Sequence, residues 1–141
     1  MRTVYRLYHQ IEHYEDGELY TNTKQIAFLS TRKAALKIIE KFRHLPGFCD
    51  YPYGFKIDRM RTEAKIDTKT MVVWRLTHTY IYDDVEWIEG ISELGVYSSS
   101  KAARKAMRKF AREYTNYAEQ PEGFEIDKIY INRYIGWQFG F

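Results

Sequence analysis

Two histidines and two aspartates stand at matched places in this chain. His9 closes the run Val4-Tyr5-Arg6-Leu7-Tyr8-His9 and His78 closes Val73-Trp74-Arg75-Leu76-Thr77-His78. Asp58 ends Gly54-Phe55-Lys56-Ile57-Asp58 and Asp127 ends Gly123-Phe124-Glu125-Ile126-Asp127. Histidines can ligate a metal or move a proton, and converging carboxylates can do acid–base work. The spacing favours neither chemistry. His13 lies four residues beyond His9, roughly 13 Å along a strand and too far to share one metal. No Cys or His stands at ligand spacing from either matched histidine. Each is expected to be a structural or exposed residue at a strand end, with His44 a cation at a helix C-terminus. The aspartates are expected to be exposed strand positions.

The chain lacks a nucleophile elbow, a phosphate-binding loop, a dinucleotide fingerprint and a metal motif. No catalytic, metal or cofactor-binding residue is assigned, and the expectation is a protein that is not an enzyme.

The sharpest candidate is a run of cations. Lys101, Arg104, Lys105, Arg108, Lys109 and Arg112 lie in one helical segment with no acid among them. Arg104 with Arg108, and Lys105 with Lys109, are like charges at i, i+4, which cost a few tenths of a kcal/mol each. Lys101 also opposes the positive end of the helix dipole. That local cost points to an anionic surface meeting this face, and a merely solvated face is the plainer account. An earlier segment carries Arg32, Lys33, Lys37, Lys41 and Arg43 against Glu40 alone. Acids collect elsewhere, at Glu12, Glu15, Asp16 and Glu18, and again at Asp83, Asp84, Glu86, Glu89 and Glu93. The net charge of +3 conceals this segregation.

The elements that carry these residues occur twice. Ser30-Thr31-Arg32-Lys33-Ala34-Ala35 returns as Ser98-Ser99-Ser100-Lys101-Ala102-Ala103, and all the matched segments lie 68 or 69 residues apart. Alternation about Thr3 to Glu12 and Met71 to Tyr82 reads as a half-buried strand in each copy. A polar turn follows, then strands about Lys24 to Leu29 and Ser92 to Tyr97. The hydroxyls of Ser30-Thr31 and Ser98-Ser99-Ser100 have helix-capping chemistry. They also resemble an anion site with Lys101, although capping alone accounts for them. Apolar residues at i, i+3, i+4 predict that one helix buries Ala35, Ile38, Ile39, Phe42 and Leu45. The other is predicted to bury Ala103, Ala106, Met107, Phe110 and Tyr114. Third strands start at Phe55 and Phe124, and a polar linker runs about Thr62 to Thr70.

The fold class is therefore α+β, with two ββαβ repeats forming a pseudo-twofold domain. A mainly antiparallel sheet would carry both amphipathic helices on one face. A half of about 70 residues buries too little surface to be secure alone. Residues 1–141 are read as one domain of two repeats, about 1–68 and 69–141. One continuous sheet and two packed sheets both satisfy the pattern.

With 141 residues and a single cysteine, Cys49, the chain can form no internal disulfide, which suits a reducing, cytoplasmic setting. No leader and no apolar run of about 20 residues is seen, so no membrane partner is expected. Aromatics are abundant, with 13 Tyr, 8 Phe and 3 Trp, too many for the interior alone.

The second copy resembles a bacterial family of small uncharacterised proteins, a domain of unknown function. That family carries G-x-Y-S-S, an A-x-x-A helix, P-x-G-F-x-I-x-x-Y and a terminal W-x-x-G-F. Here they read Gly95-Val96-Tyr97-Ser98-Ser99, Ala103 with Ala106, Pro121 to Tyr130, and Trp137-Gln138-Phe139-Gly140-Phe141. Copy one departs from it, with Ala27-Phe28-Leu29 in place of Gly-x-Tyr. The resemblance implies a small bacterial α+β module and supplies no catalytic residue.

The function expected is binding of a macromolecular partner, in an immunity-like or inhibitor role. An acidic protein surface fits the cations best, including another copy's hairpins through self-association. Nucleic acid is the alternative, and an enzyme site between the repeats a further one.

Overall fold

The computed structural model describes residues 2–62, 72–83 and 88–134. The element order is β1 (Arg2–Glu15), β2 (Glu18–Leu29), α1 (Arg32–Phe42), β3 (Phe55–Thr62), β4 (Val72–Asp83), β5 (Ile88–Tyr97), α2 (Ser100–Glu113), α3 (Thr115–Glu119), β6 (Phe124–Tyr130) and β7 (Arg133–Tyr134). The class is α+β with two ββαβ units, as the repeat implies. The strands form two sheets rather than one, ordered β3-β1-β2-β7 and β5-β4-β6. Most of the linker about Thr62 to Thr70 and the residues around Trp87 and Trp137 lie outside the described residues.

The chain divides into two compact units. Among the described residues, an N-terminal unit holds Thr3–Met60 with residues 131–134, and a C-terminal unit holds those within Arg61–Tyr130 with Arg2. The first unit is thus completed by the far end of the chain. Asn132 takes φ 65°, a left-handed conformation that asparagine tolerates. Its backbone N–H donates to Phe28 O at 2.8 Å, and its Oδ1 accepts from Ser30 N at 3.0 Å. This seats β7 on β2, with Ala27 opposite Tyr134.

Both units use the same local devices. In the N-terminal unit Asp16 and Gly17 have φ of 53° and 81° between the paired Glu15 and Glu18. Two positive φ values make the tight turn whose twist suits a hairpin, and Asp-Gly is the sequence that permits it. Leu7 and Tyr8 face Ala27 and Gln25, leaving Ile26 as a bulge. Leu76 and Thr77 face Gly95 and Glu93, leaving Leu94 in the same role. The bulge is therefore part of the repeat and twists both hairpins alike. Thr31 Oγ1 accepts from Ala34 N at 3.1 Å, and Ser99 Oγ accepts from Ala102 N at 3.1 Å.

The helices differ in depth. Ala35, Ile38 and Phe42 of α1 are buried against Leu7, Ile26, Leu29 and Phe48. Phe48, in the loop after α1, joins this core although helical periodicity did not include it. On α2 only Ala103 is buried, while Ala106, Met107 and Phe110 are half-buried and Tyr114 is exposed. The predicted stripe is present but shallower than expected. Ala106 stands where α1 has Ile38, so α2 has less apolar volume to sink into its sheet.

Burial of this kind predicts unequal costs for equivalent truncations. Phe42→Ala is expected to destabilise the protein by about 3–5 kcal/mol, and Phe110→Ala by less than half as much. Urea unfolding followed by circular dichroism would read the difference; equal losses would contradict the shallower seating of α2.

Candidate binding face and the histidine clamps

His9 and His78 are not at strand ends. They sit within β1 and β4, on the side that faces the helices, and are fully buried. His9 Nε2 lies 2.9 Å from Tyr51 O, and His78 Nε2 lies 2.7 Å from Gln120 O. A carbonyl only accepts, so Nε2 carries the proton and donates in both. Each ring is held between aromatic rings. Phe48 and Phe55 flank His9 at centroid distances of 4.9 and 4.8 Å, while Tyr117 and Phe124 flank His78 at 4.7 Å each. Gly54 and Gly123 allow this approach. A Cβ on Gly54 would stand 2.5 Å from His9 Nε2, and one on Gly123 would run into Thr79 O and His78 Nε2. The matched histidines are structural clamps between the first strand and the loop that feeds the third.

Burial holds the His9 imidazole below its ordinary pKa; the bond to Tyr51 O opposes this, and the nearby Lys24 charge adds to it.

Of the matched acids, Asp58 is tied into its sheet. Asp58 accepts from Arg6 Nη1 at 2.9 Å and from Tyr8 Oη at 3.3 Å. The Arg6 guanidinium lies over the Tyr8 ring, 4.1 Å from its centroid, and its Nε donates to Gln25 Oε1 at 3.0 Å. Burial, then the Asp58 carboxylate, raises the Tyr8 pKa. In the other unit Glu93 replaces Gln25. Arg75 donates to both Glu93 carboxylate oxygens, while Asp127 is its register neighbour on β6. Glu93, carried on β5 of the second hairpin, is held in a half-buried ion pair. Among the described residues no three His, Cys, Asp or Glu gather as metal ligands.

The cations of α2 are placed differently. Lys101, Arg104, Lys105, Arg108, Lys109 and Arg112 are all exposed. None has an ion pair or side-chain hydrogen bond among the described residues. The structure divides them. Lys105, Lys109 and Arg112 border a cleft of about 710 Å³ between α2 and β5, together with Arg61. Lys101, Arg104 and Arg108 lie outside it. Val96, Ala106, Phe110 and Tyr114 contribute apolar lining, and Glu113 is the one carboxylate among the described lining residues. Sequence reasoning missed Arg61, because nothing in its local pattern ties it to α2. It also assigned Phe110 to the core alone. The Ser98 to Ser100 group serves as the α2 cap through Ser99.

The chain matches no family model, no curated protein and no solved structure. No helix among the described residues is long and apolar enough to cross a membrane.

The clamps generate two expectations. The unfolded chain takes up a proton near pH 6.5 that buried His9 resists, so this contribution is intact above that pH and is lost as pH falls. Urea unfolding between about pH 7 and about pH 5 should therefore show a steeper loss for the wild type than for His9→Gln, which starts lower. Parallel slopes would remove His9 as the cause. Gly123→Ala should cost at least about 2 kcal/mol, because the new methyl meets backbone and a buried ring together; thermal unfolding within a degree of wild type would refute that packing.

Proposed function

We propose that the chain is a non-enzymatic binding protein whose α2 face docks on an acidic protein surface, in an immunity-like or inhibitor role. The observation that carries this reading is the set of six exposed cations on α2, none of them neutralised within the described residues. A helix that keeps like charges at i, i+4 without internal partners gives up stability that an anionic partner returns. The cleft beside these cations adds apolar surface, and an interface needs such surface because exposed charges alone contribute little. The matched histidines and Asp58 are occupied in holding the fold, whereas the α2 cations have no ion-pair partner among the described residues.

The test is binding of fluorescent poly-L-glutamate to the full chain at low salt. Replacing Arg104, Lys105, Arg108 and Arg112 with Glu should weaken binding at least about tenfold while the circular dichroism spectrum is retained. Unchanged affinity would make the basic face a solvated surface. Tighter binding to duplex DNA, with a log–log salt slope near about −5 for six phosphates, would transfer the face to nucleic acid.

A further inference from the structure

The cleft beside α2 has a complementary counterpart within the same chain. The β1–β2 hairpin ends in a tight two-residue turn, and its tip exposes Glu12, Glu15, Asp16 and Glu18. The same tip exposes large apolar side chains, Tyr14 at 76 % and Leu19 at 51 % of their full surface. Exposed apolar side chains grouped with one sign of charge mark a contact surface more than a solvated loop. The cleft presents the inverse: Lys105, Lys109, Arg112 and Arg61 around a lining that includes Val96 and Phe110. Its volume of about 710 Å³ is that of a cleft able to enclose a ligand.

We infer that the α2–β5 cleft receives the β1–β2 hairpin tip of a second copy of this chain, which deepens the reading of α2 as a docking face for acidic protein. The carboxylates of the tip meet Lys105, Lys109 and Arg112, while Tyr14 or Leu19 covers Phe110 and Val96. Tip and cleft are different surfaces, so the contact is heterologous, and a pair keeps a free cleft on one copy and a free tip on the other. Assembly is then head to tail. A contact made by one hairpin tip is small, and the association is weak and reversible. It is also salt-sensitive, because both sets of charges are exposed before they meet.

Sedimentation velocity of the full chain over a range of concentrations tests this. At low ionic strength the wild type should show concentration-dependent growth that high salt reverses. Two neutralised variants are informative, E12Q/E15Q/E18Q at the tip and K105Q/K109Q/R112Q at the cleft. Each should weaken self-association at least about tenfold. Mixed together they should form a one-to-one pair that grows no further, since one brings an intact cleft and the other an intact tip. The control R32Q/K33Q/K37Q, which removes three exposed cations of α1 outside the cleft, should assemble like wild type. A wild type that stays monomeric at every concentration in low salt would overturn the inference, as would a control variant as defective as the cleft variant. In either case retained binding of poly-L-glutamate would leave the docking role of α2 standing with a foreign partner, whereas loss of that binding as well would remove both.

Discussion

The structure depends on one hydrogen bond made twice. In each unit a histidine in the middle of the first strand reaches across the sheet to the carbonyl of a loop that precedes the third strand. The partners are 42 residues apart in both cases, with the second strand and the helix in between. The bond therefore closes the whole ββαβ excursion. It can form only because a glycine leaves room for the ring, and because two aromatic rings exclude water from it. An imidazole N–H shielded in this way and left without an acceptor costs more than the bond contributes when made. The loop is consequently held at one height on the strand, and with it the start of β3 or β6. Around His78 the closure is reinforced by Gln120, whose side-chain amide donates to Ile81 O and accepts from Ile81 N at 2.8 Å each.

With both units closed by the same device, the differences between them stand out. The N-terminal unit invests its helix in a core: Phe42, Phe48 and Phe55 pack in series with His9 at their end. The C-terminal unit builds its aromatic cluster from Tyr117 of the short α3 and from Phe124, with Phe110 5.8 Å from the Tyr117 ring. Its helix α2 is thereby relieved of part of the core-forming task. It can lie higher on the sheet, with Phe110 half out and a cleft beneath its cationic edge. The helix of one unit is the more deeply buried, and that of the other leaves more of its apolar side at the surface. A separate division of roles appears on the opposite sheet faces, where Arg6 is shared between Asp58 and Gln25 while Arg75 donates to both carboxylate oxygens of Glu93.

Local chemistry was legible in the sequence and long-range chemistry was not. Asp16-Gly17, the Thr31 and Ser99 caps and the strand alternation around Leu7 and Leu76 act within a few residues, and each forms as its pattern predicts. The role of His9 and His78 depends on carbonyls far along the chain, so their types alone suggested strand-end positions. Their duplication, together with the matched glycines, was the available signal: a buried ring pressed on a glycine must be kept as a set. The pairing of Glu93 was hidden for a similar reason. Its neighbours in sequence are acidic, and its partner Arg75 is reached only through the hairpin register. The addition of β7 to β2 rests on two residues and one left-handed asparagine, too little pattern to announce a strand. The six cations of α2 were visible, but their division by a cleft was not, because the cleft needs Arg61 and the shallow seating of the helix.

That division changes what the charge on α2 means. A uniformly basic helix would attract any polyanion, with an energy set by the number of contacts and reduced by salt. A helix with three cations at the border of an apolar cleft and three away from it would, in the proposed role, favour an anion that also carries apolar side chains. The apolar part brings area-dependent attraction that salt does not screen, and the charges set orientation and encounter rate. An acidic strand or hairpin bearing exposed aromatic or aliphatic residues meets both demands, whereas a phosphate backbone meets the first alone. On the proposed docking role, the shallow seating of α2 has a consequence beyond stability: the apolar surface it fails to bury in its own sheet would give its basic edge a preference among partners.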